Sequence, residues 1–173
     1  MRDISLHILD IVQNSISAQG TYIEIYIDED IEGDTLTLAI IDNGVGMDAK
    51  RIEEVTDPFY TTRTTRKVGF GLALLKASAQ RSGGYMDIES KVGQGTKVKT
   101  VFKISHIDRP PLGSLDETLV TLIACNPDID FFYRHRTNKG EFTFDTRDIK
   151  KRIEGISIAE PDVLAFIGEY LRD

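Results

Sequence analysis

The sequence of 173 residues has little cysteine, no tryptophan and no long apolar run. Its single cysteine, Cys125, excludes a disulfide within one chain and a CxxC zinc motif, which is typical of a reducing compartment and predicts a cytoplasmic protein. Because Cys125 ends an apolar run, we expect a buried, inert thiol. A membrane-spanning helix needs about 18 or more consecutive apolar residues, and a secretory signal needs a basic start before an apolar run. The sequence has neither, so we predict no membrane association.

Basic charge is also scarce, because 21 Lys and Arg stand against 28 Asp and Glu, a net charge of −7. Nucleic-acid-binding proteins usually carry a basic face, so we predict no nucleic-acid partner. What is present is an ordinary globular balance of 40% hydrophobic and 28% charged residues. A chain of this length buries a core without the help of disulfides or a structural metal.

The clearest break in the chain is Pro110-Pro111, because consecutive prolines interrupt both helices and strands. Before it, periodicity and turn residues predict helices over 3–18, 48–55 and 71–82, strands over 21–28, 35–41, 85–90 and 97–104, and a polar mobile segment over 60–68. After it, they predict helices over 115–124, 146–153 and 160–171 and a hairpin of strands 129–135 and 141–145. We therefore predict an α/β two-layer sandwich over residues 1–106, with a mixed sheet and helices on one face, and a small α+β appendage over 107–173 that packs on it.

The first predicted helix carries a polar stripe at spacings of three and four residues, formed by Asp3, His7, Asp10, Asn14 and Ser17. A solvent-facing stripe is the ordinary explanation for such a pattern. However, an exposed helix usually carries long Lys, Glu and Arg side chains, whereas these side chains are short and mostly oxygen-bearing. Short oxygen-bearing side chains suit a magnesium ion, so the stripe also fits a metal-binding face.

A glycine loop follows the second predicted strand in the run Asp42-Asn43-Gly44-Val45-Gly46-Met47. A turn alone explains one glycine, whereas two permit a ligand to approach the backbone closely. A carboxylate at the strand end accepts a hydrogen bond from the amino group of adenine. The same carboxylate opposes the carbonyl oxygen of guanine, because both groups are acceptors.

A second glycine run, Gly69-Phe70-Gly71-Leu72, opens the helix predicted over 71–82. A helix N-terminus presents backbone N–H groups and the positive end of the helix dipole, which suits phosphate. The segment just before it, 61–67, holds three cations and no acid. It is either a triphosphate clamp or a solvated loop.

Together these pieces resemble the GHKL superfamily, which contains histidine kinases, type II topoisomerases, mismatch-repair ATPases, chaperones of the heat-shock class and anti-sigma-factor kinases. The resemblance covers about residues 1–105. It is carried by the N-box (Asp10–Ala18), the G1 box (Asp42–Met47), a kinase-like segment (Asp57–Arg63), the G2 box (Gly69–Leu74) and a last box (Gly93–Thr96).

The resemblance implies the Bergerat ATP-binding fold and the cofactors ATP and Mg²⁺. It implies Asn14 as the magnesium ligand and Asp42 as the residue that recognises adenine. The other implied nucleotide-binding positions are Gly44, Gly46, Met47 and Thr96 around the base, Gly69, Phe70, Gly71 and Leu72 at the phosphates, and Thr62, Arg63 and Lys67 in a short lid. Asp10 occupies the position of the general base, where ATPase members and anti-sigma-factor kinases carry Glu, and Ser17 stands where many histidine kinases carry Lys.

Three functions fit this pattern. The kinase-like segment favours a histidine or serine/threonine kinase acting in trans on an unknown protein partner, since the chain begins with the N-box helix and shows no upstream phosphoacceptor segment. An ATPase switch of the mismatch-repair or topoisomerase type needs a following transducer domain, which residues 107–173 do not resemble. The shorter Asp10 side chain leaves open a non-catalytic, ATP-dependent binding module. A homodimer is compatible with each of the three.

Overall fold

The computed structural model describes residues 2–57 and 70–172, and in these ranges it contains six helices and six strands. The helices are α1 (Ile4–Ser17), α2 (Ala49–Thr56), α3 (Phe70–Arg81), α4 (Leu115–Cys125), α5 (Thr146–Arg152) and α6 (Pro161–Arg172). The strands are β1 (Tyr22–Asp30), β2 (Thr35–Asp42), β3 (Tyr85–Lys91), β4 (Gly95–Lys103), β5 (Asp130–Thr137) and β6 (Gly140–Asp145). Every predicted helix and strand is present, and its ends lie within two residues of the predicted ones. The segment predicted over 60–68 lies outside the described residues.

All six strands form one mixed sheet in the order β3-β4-β2-β1-β5-β6. Neighbouring strands are antiparallel except for β1 and β5, which run parallel. The predicted α/β architecture with a mixed sheet is therefore confirmed.

One face of the sheet is covered by helices and the other is open. Along β1, Ile23, Ile25 and Ile27 are fully buried, whereas Tyr22 and Tyr26 on the other face are partly exposed. This alternation follows from the two-residue period of a strand. Full burial of one such isoleucine contributes about 1.5–3 kcal/mol, so the pattern fixes which face of each strand turns to the helices.

Helix α1 packs against both α3 and α4 on the covered face. Its N-cap, Asp3, accepts a hydrogen bond from the backbone N–H of Leu6 at 2.9 Å, which satisfies one of the free donors of the first turn. Ile8, Ile11 and Val12 are buried in the core. Because these apolar residues fix the rotation of the helix, the polar stripe falls on a defined side of it.

The last third of the chain shares the sheet and the core with the first part. Strand β5 pairs with β1 from Tyr22 opposite Asp130 to Asp28 opposite Arg136, and Phe131 and Tyr133 join the same hydrophobic cluster as β1. This parallel pairing was not predicted from the sequence. The boundary between residues 106 and 107 stays a prediction.

The prediction of a buried Cys125 is wrong, because the thiol is exposed. The apolar run that it ends forms α4, which buries Leu119, Leu122 and Ile123 on one side. Cys125 lies on the other side of the same helix, so its apolar neighbours in sequence do not enclose it. Within residues 2–57 and 70–172, no helix is both long and apolar enough to cross a membrane.

Candidate functional site

A cavity of about 260 Å³ lies among α1, α2, α3 and the adjoining ends of β2 and β4. Its walls are mostly apolar, with a few polar groups among them. The lining residues are Ile11, Asn14, Ser15, Ser17, Ala18, Asp42, Val45, Gly46, Met47, Arg51, Val55, Leu72, Thr96 and Val98. Apolar walls with few, fixed polar groups are typical of small-ligand sites.

Asp42 is the last residue of β2 and is 9% exposed. Its Oδ1 accepts a hydrogen bond from the backbone N–H of Gly44 at 2.9 Å, and its Oδ2 accepts one from Oγ of Ser15 at 2.6 Å. These two bonds hold the carboxylate in one orientation. A carboxylate has about four lone-pair positions, so Asp42 keeps acceptor capacity for a ligand in the cavity.

The loop after β2 requires glycine because it packs against the turn between β3 and β4 without space for a side chain. Gly46 has a φ of +73°, and a Cβ there would lie 1.9 Å from the backbone oxygen of Lys91. A Cβ at Gly95 would lie 2.1 Å from the backbone oxygen of Asp42. The two loops are also joined directly, since the N–H of Gly93 donates to the backbone oxygen of Val45 at 2.7 Å.

A serine outside the predicted site connects the same two loops. Ser90, the penultimate residue of β3, accepts a hydrogen bond through Oγ from the backbone N–H of Met47 at 2.7 Å. The same Oγ lies 2.9 Å from the backbone oxygen of Gly95 and 2.8 Å from Oγ1 of Thr96. Thr96 is directly opposite Asp42 in the pairing of β2 with β4. Both side chains line the cavity.

Asn14 and the start of α3 lie at another side of the cavity. A Cβ at Gly71 would lie 3.1 Å from Cβ of Asp10 and 3.7 Å from Nδ2 of Asn14, so glycine lets the first turn of α3 approach α1 closely. Leu72, in the same turn, lines the cavity. The positive end of α3 therefore lies beside the polar stripe of α1.

Asp10 is near this place but does not line the cavity. Its carboxylate forms an ion pair with the guanidinium of Arg2. Gly44 lies behind the Asp42 carboxylate rather than on the wall, and Phe70 is a half-buried residue at the start of α3. Thr62, Arg63, Lys67 and Gly69 lie outside the described residues.

His7, one turn before Asp10, is 2% exposed, and neither ring nitrogen has a hydrogen-bond partner among the described residues. Burial lowers the pKa of His7 below its usual value of 6.5, and the charge of Arg2 lowers it further. Burial therefore favours the neutral form of the ring, and His7 does not line the cavity.

Sequence analysis missed Ser15, Ser90 and Arg51 and the apolar walls at Ile11 and Val55. Ser15 follows Asn14 in the N-box, and no periodic signal marks a lone serine. Ser90 lies at the end of a strand whose alternation it does not break. A direct signal existed for Arg51, because it is the third residue of α2, the helix that follows the first glycine loop.

The residues fit a nucleotide through their chemistry. A fixed acceptor, Asp42, lies among apolar side chains suited to the faces of an aromatic base. The first turn of a helix such as α3 has backbone N–H groups without partners inside the helix, which suits phosphate. The amide oxygen of Asn14 is a suitable magnesium ligand beside that helix end. Among residues 2–57 and 70–172 there is no cluster of three or more His, Cys, Asp or Glu that could hold a metal by itself. Mg²⁺ at this site would take oxygen ligands from Asn14, from phosphate and from water.

Comparison with known families agrees with this chemistry. Residues 2–106 match the model of the family described as histidine kinase-, DNA gyrase B- and HSP90-like ATPases. The chain belongs to this family. The predicted GHKL resemblance is confirmed, and the first 106 residues contain an ATP-binding domain of the histidine kinase-like type.

The chain is also similar to several bacterial sensor proteins. It is 32% identical over 103 residues to a putative sensor protein of Shewanella frigidimarina, which covers 58% of this chain and 16% of that protein. It is 34% identical over 110 residues to the sensor protein kinase FleS of Pseudomonas aeruginosa, covering 64% and 27%. With the sensor histidine kinase WalK of Bacillus subtilis it shares 32% identity over 105 residues, covering 56% and 17%. The alignments thus span less than a third of each of these relatives.

Proposed function

We propose that this protein is a Mg-ATP-dependent kinase that phosphorylates a protein partner. The observation that carries the proposal is the fixed Asp42 carboxylate on the wall of an apolar cavity that Asn14 also lines. One part of this cavity suits a base and the other suits phosphates and a metal. The sensor kinases among the relatives support transfer of the phosphoryl group to a protein.

Each group in the site has a role in this proposal. Asp42 accepts a hydrogen from the adenine amino group, and the apolar walls exclude water from the base. Asn14 holds Mg²⁺ through its amide oxygen, and the first turn of α3 orients the phosphates through its N–H groups. Bound Mg-ATP would supply the phosphoryl group, and Mg²⁺ would neutralise part of the negative charge on its oxygens. The lid residues Thr62, Arg63 and Lys67 remain candidates for contacts with the phosphates.

The histidines of these 173 residues support an acceptor outside them. His7 is buried in α1. Nδ1 of His135 is 3.1 Å from the hydroxyl of Tyr133, and Nε2 of His135 is 2.6 Å from Oε2 of Glu29. His106 accepts a hydrogen bond through Nδ1 from the backbone N–H of Asp108. Because His7 is enclosed and both ring nitrogens of His135 have partners, these two rings are not open phosphoacceptors.

One observation favours a second function, a non-catalytic module that binds its partner when ATP is bound. The Asp10 carboxylate is engaged by the guanidinium of Arg2 and does not line the cavity. In this alternative, the nucleotide stabilises one conformation of the protein and no phosphoryl group is transferred.

Calorimetry with Mg-ATP, Mg-ADP and Mg-GTP tests the site, and γ-labelled ATP tests turnover on the same samples. We expect binding of both adenine nucleotides that depends on magnesium and weaker binding of GTP. An absence of ATP and ADP binding at millimolar concentration would refute the proposal.

Substitution of Asp10→Asn distinguishes the two functions, because the amide keeps the size of the side chain and cannot accept a proton. For a kinase we expect loss of label transfer to a partner, or of basal phosphate release, with ATP affinity within a fewfold of the wild type. If the wild type and Asp10→Asn both capture the partner equally well with ATP bound, and neither transfers label, the protein is a binding module. Thr121→Val, on the exposed side of α4, is a matched surface control.

A further inference from the structure

The open face of the sheet has a composition that exposure to solvent alone does not explain. An antiparallel sheet with one solvated face usually alternates apolar residues inside with polar residues outside. On β2, however, the open face carries Ala39 and Ile41, and both are half-buried. Beside them, the rings of Tyr26 on β1 and Phe132 on β5 lie 5.6 Å apart between their centroids. The middle of this face is therefore apolar and aromatic.

We propose that an amphipathic helix of a partner protein, with acidic residues on both flanks, docks along β2 on this open face. The nucleotide cavity lies among the helices of the covered face, so the docking surface is a separate site. Docking here adds a partner site to the kinase function and does not depend on nucleotide binding.

The shape of the open face suits a helix, because the short side chains of β2 form the floor of a trough between longer ones. The floor consists of Thr35, Thr37, Ala39 and Ile41. Ala39, for example, is directly opposite Tyr26 on β1 and Lys99 on β4. Strands β1 and β4 are two strand spacings apart, about 9.5 Å, and a helix with its side chains is about 10–12 Å wide. The 8 residues of β2 extend over about 27 Å, which is the length of about 18 helical residues.

Three cations without ion-pair partners stand beside the trough. Lys97 and Lys99 on β4 are directly opposite two floor residues of β2. On the other side, the guanidinium carbon of Arg134 lies 4.8 Å from the ring centroid of Tyr26. Within residues 2–57 and 70–172, none of these three cations forms an ion pair, and Nε of Arg134 is buried without a hydrogen-bond partner. Carboxylates on both flanks of a docked helix would supply the missing anions.

The acidic residues of the open face leave these cations to a partner. Asp28 forms an ion pair with Arg136, and Glu24 accepts a hydrogen bond from the hydroxyl of Tyr26 at 2.6 Å. The two acidic residues of β3 stand directly opposite the lysines of β4, but in the described parts of the chain they form no ion pair with them. The charge that remains available beside the trough is therefore positive.

A second copy of this chain fits the open face less well than an acidic helix. If two open faces pack about a two-fold axis that runs along the strands between β1 and β2, then β4 of one copy lies over β5 of the other. If the axis runs across the strands, each strand lies over itself. Both arrangements oppose the cations of one copy to the cations of the other, which disfavours association.

A synthetic helical peptide of about 18 residues tests this surface. It carries a stripe of leucine and alanine, glutamates on both flanks and one tryptophan. Because the protein has no tryptophan, the fluorescence anisotropy of that residue reports on the peptide alone. We expect saturable binding to the wild type that weakens as salt is added, and binding at least about tenfold weaker for a peptide with lysine in place of glutamate.

The double substitution of Lys97→Glu and Lys99→Glu tests the charges, and Ala39→Gln tests the floor of the trough without a change of charge. We expect each variant to weaken binding of the glutamate peptide about tenfold. The matched control is Lys50→Glu with Lys151→Glu, which changes the net charge equally at two exposed lysines on the helices α2 and α5. This control should keep the wild-type affinity.

Four results would overturn the proposal. These are no saturable binding of the glutamate peptide at millimolar concentration, equal binding of the lysine peptide, an equal loss in the control pair, and a wild-type dimer in sedimentation that Ala39→Gln dissociates. The last result would show that a second copy covers the face. If the double lysine variant has no cooperative thermal transition, Ala39→Gln decides. All these measurements are made without nucleotide, so their failure leaves the proposed kinase function intact.

Discussion

Alanine substitutions at Gly46 and Gly93 separate backbone strain from steric exclusion in the nucleotide loops. Both glycines have positive φ, +73° and +83°, and they lie in the two loops that pack together. A Cβ at Gly46 would meet the backbone oxygen of Lys91 at 1.9 Å, whereas a Cβ at Gly93 would have nothing within 4 Å. Both substitutions therefore introduce backbone strain, but only Gly46→Ala also introduces a steric clash.

The structure sets the size of each effect. Placing an L-residue in the left-handed region costs about 1 kcal/mol or slightly more, and we expect that loss of unfolding free energy for Gly93→Ala. At Gly46 the carbonyl of Lys91 must also retreat by about 1.5 Å, from 1.9 Å to an ordinary contact of 3.4 Å. That movement breaks the bonds from the N–H of Gln94 to Lys91 and from the N–H of Gly93 to Val45. The backbone strain and each of the two lost hydrogen bonds cost about 1 kcal/mol, so Gly46→Ala should lower the unfolding free energy by about 3 kcal/mol.

Urea unfolding followed by far-ultraviolet circular dichroism measures both stabilities, and calorimetry measures Mg-ATP affinity. Because Gly46 lines the cavity and Gly93 does not, we expect Gly46→Ala to lose at least tenfold in affinity and Gly93→Ala to keep it. Equal destabilisation by the two substitutions, or an unchanged ATP affinity in Gly46→Ala, would refute the argument from close backbone packing.

Two further predictions concern the protein as a whole. Because burial lowers the folded-state pKa of His7 below 6.5, the unfolded state binds more protons, and the unfolding free energy should fall as pH drops below about 6.5. His7→Leu removes two ring nitrogens that have no hydrogen-bond partner among residues 2–57 and 70–172. It should flatten that decline in urea midpoints between pH 8 and pH 5, and an unchanged slope would contradict the assignment. A fragment of residues 1–106 loses β5 and the apolar side of α4, so we expect a lower urea midpoint than that of the full chain and self-association through the uncovered edge of β1. A fragment without a cooperative transition would contradict the predicted boundary, and an unchanged midpoint would contradict a shared core.

Local patterns predicted the elements of this fold well, because each depends on residues that are close in sequence. The alternation of Ile23, Ile25 and Ile27 is sufficient to predict β1, and Gly83-Gly84 is sufficient to end α3 near Arg81. The pairing of β5 with β1 could not be predicted in the same way. The two strands are separated by about 108 residues of chain, and their pairing depends on tertiary packing. Neither strand has a local sequence pattern that identifies its partner.

The candidate site shows the same division. Asn14, Asp42, Gly46 and Thr96 were predicted from glycine spacing and from the family resemblance, and the structure brings them to one cavity. Ser15 and Ser90 were missed because their hydrogen bonds join segments that are far apart in sequence. Arg2 was missed as the partner of Asp10 because an ion pair across eight residues has no helical spacing.

The parallel pairing of β1 with β5 has a consequence for synthesis on the ribosome. Strand β1 is complete when residue 30 has been made, but its second neighbour is not complete until residue 137. Throughout that interval, the middle of the final sheet is an unpaired edge with apolar side chains beside it, and such edges pair readily with other chains. The order in which the strands are made therefore places the greatest risk of aggregation in the nascent chain, before the C-terminal hairpin closes the sheet.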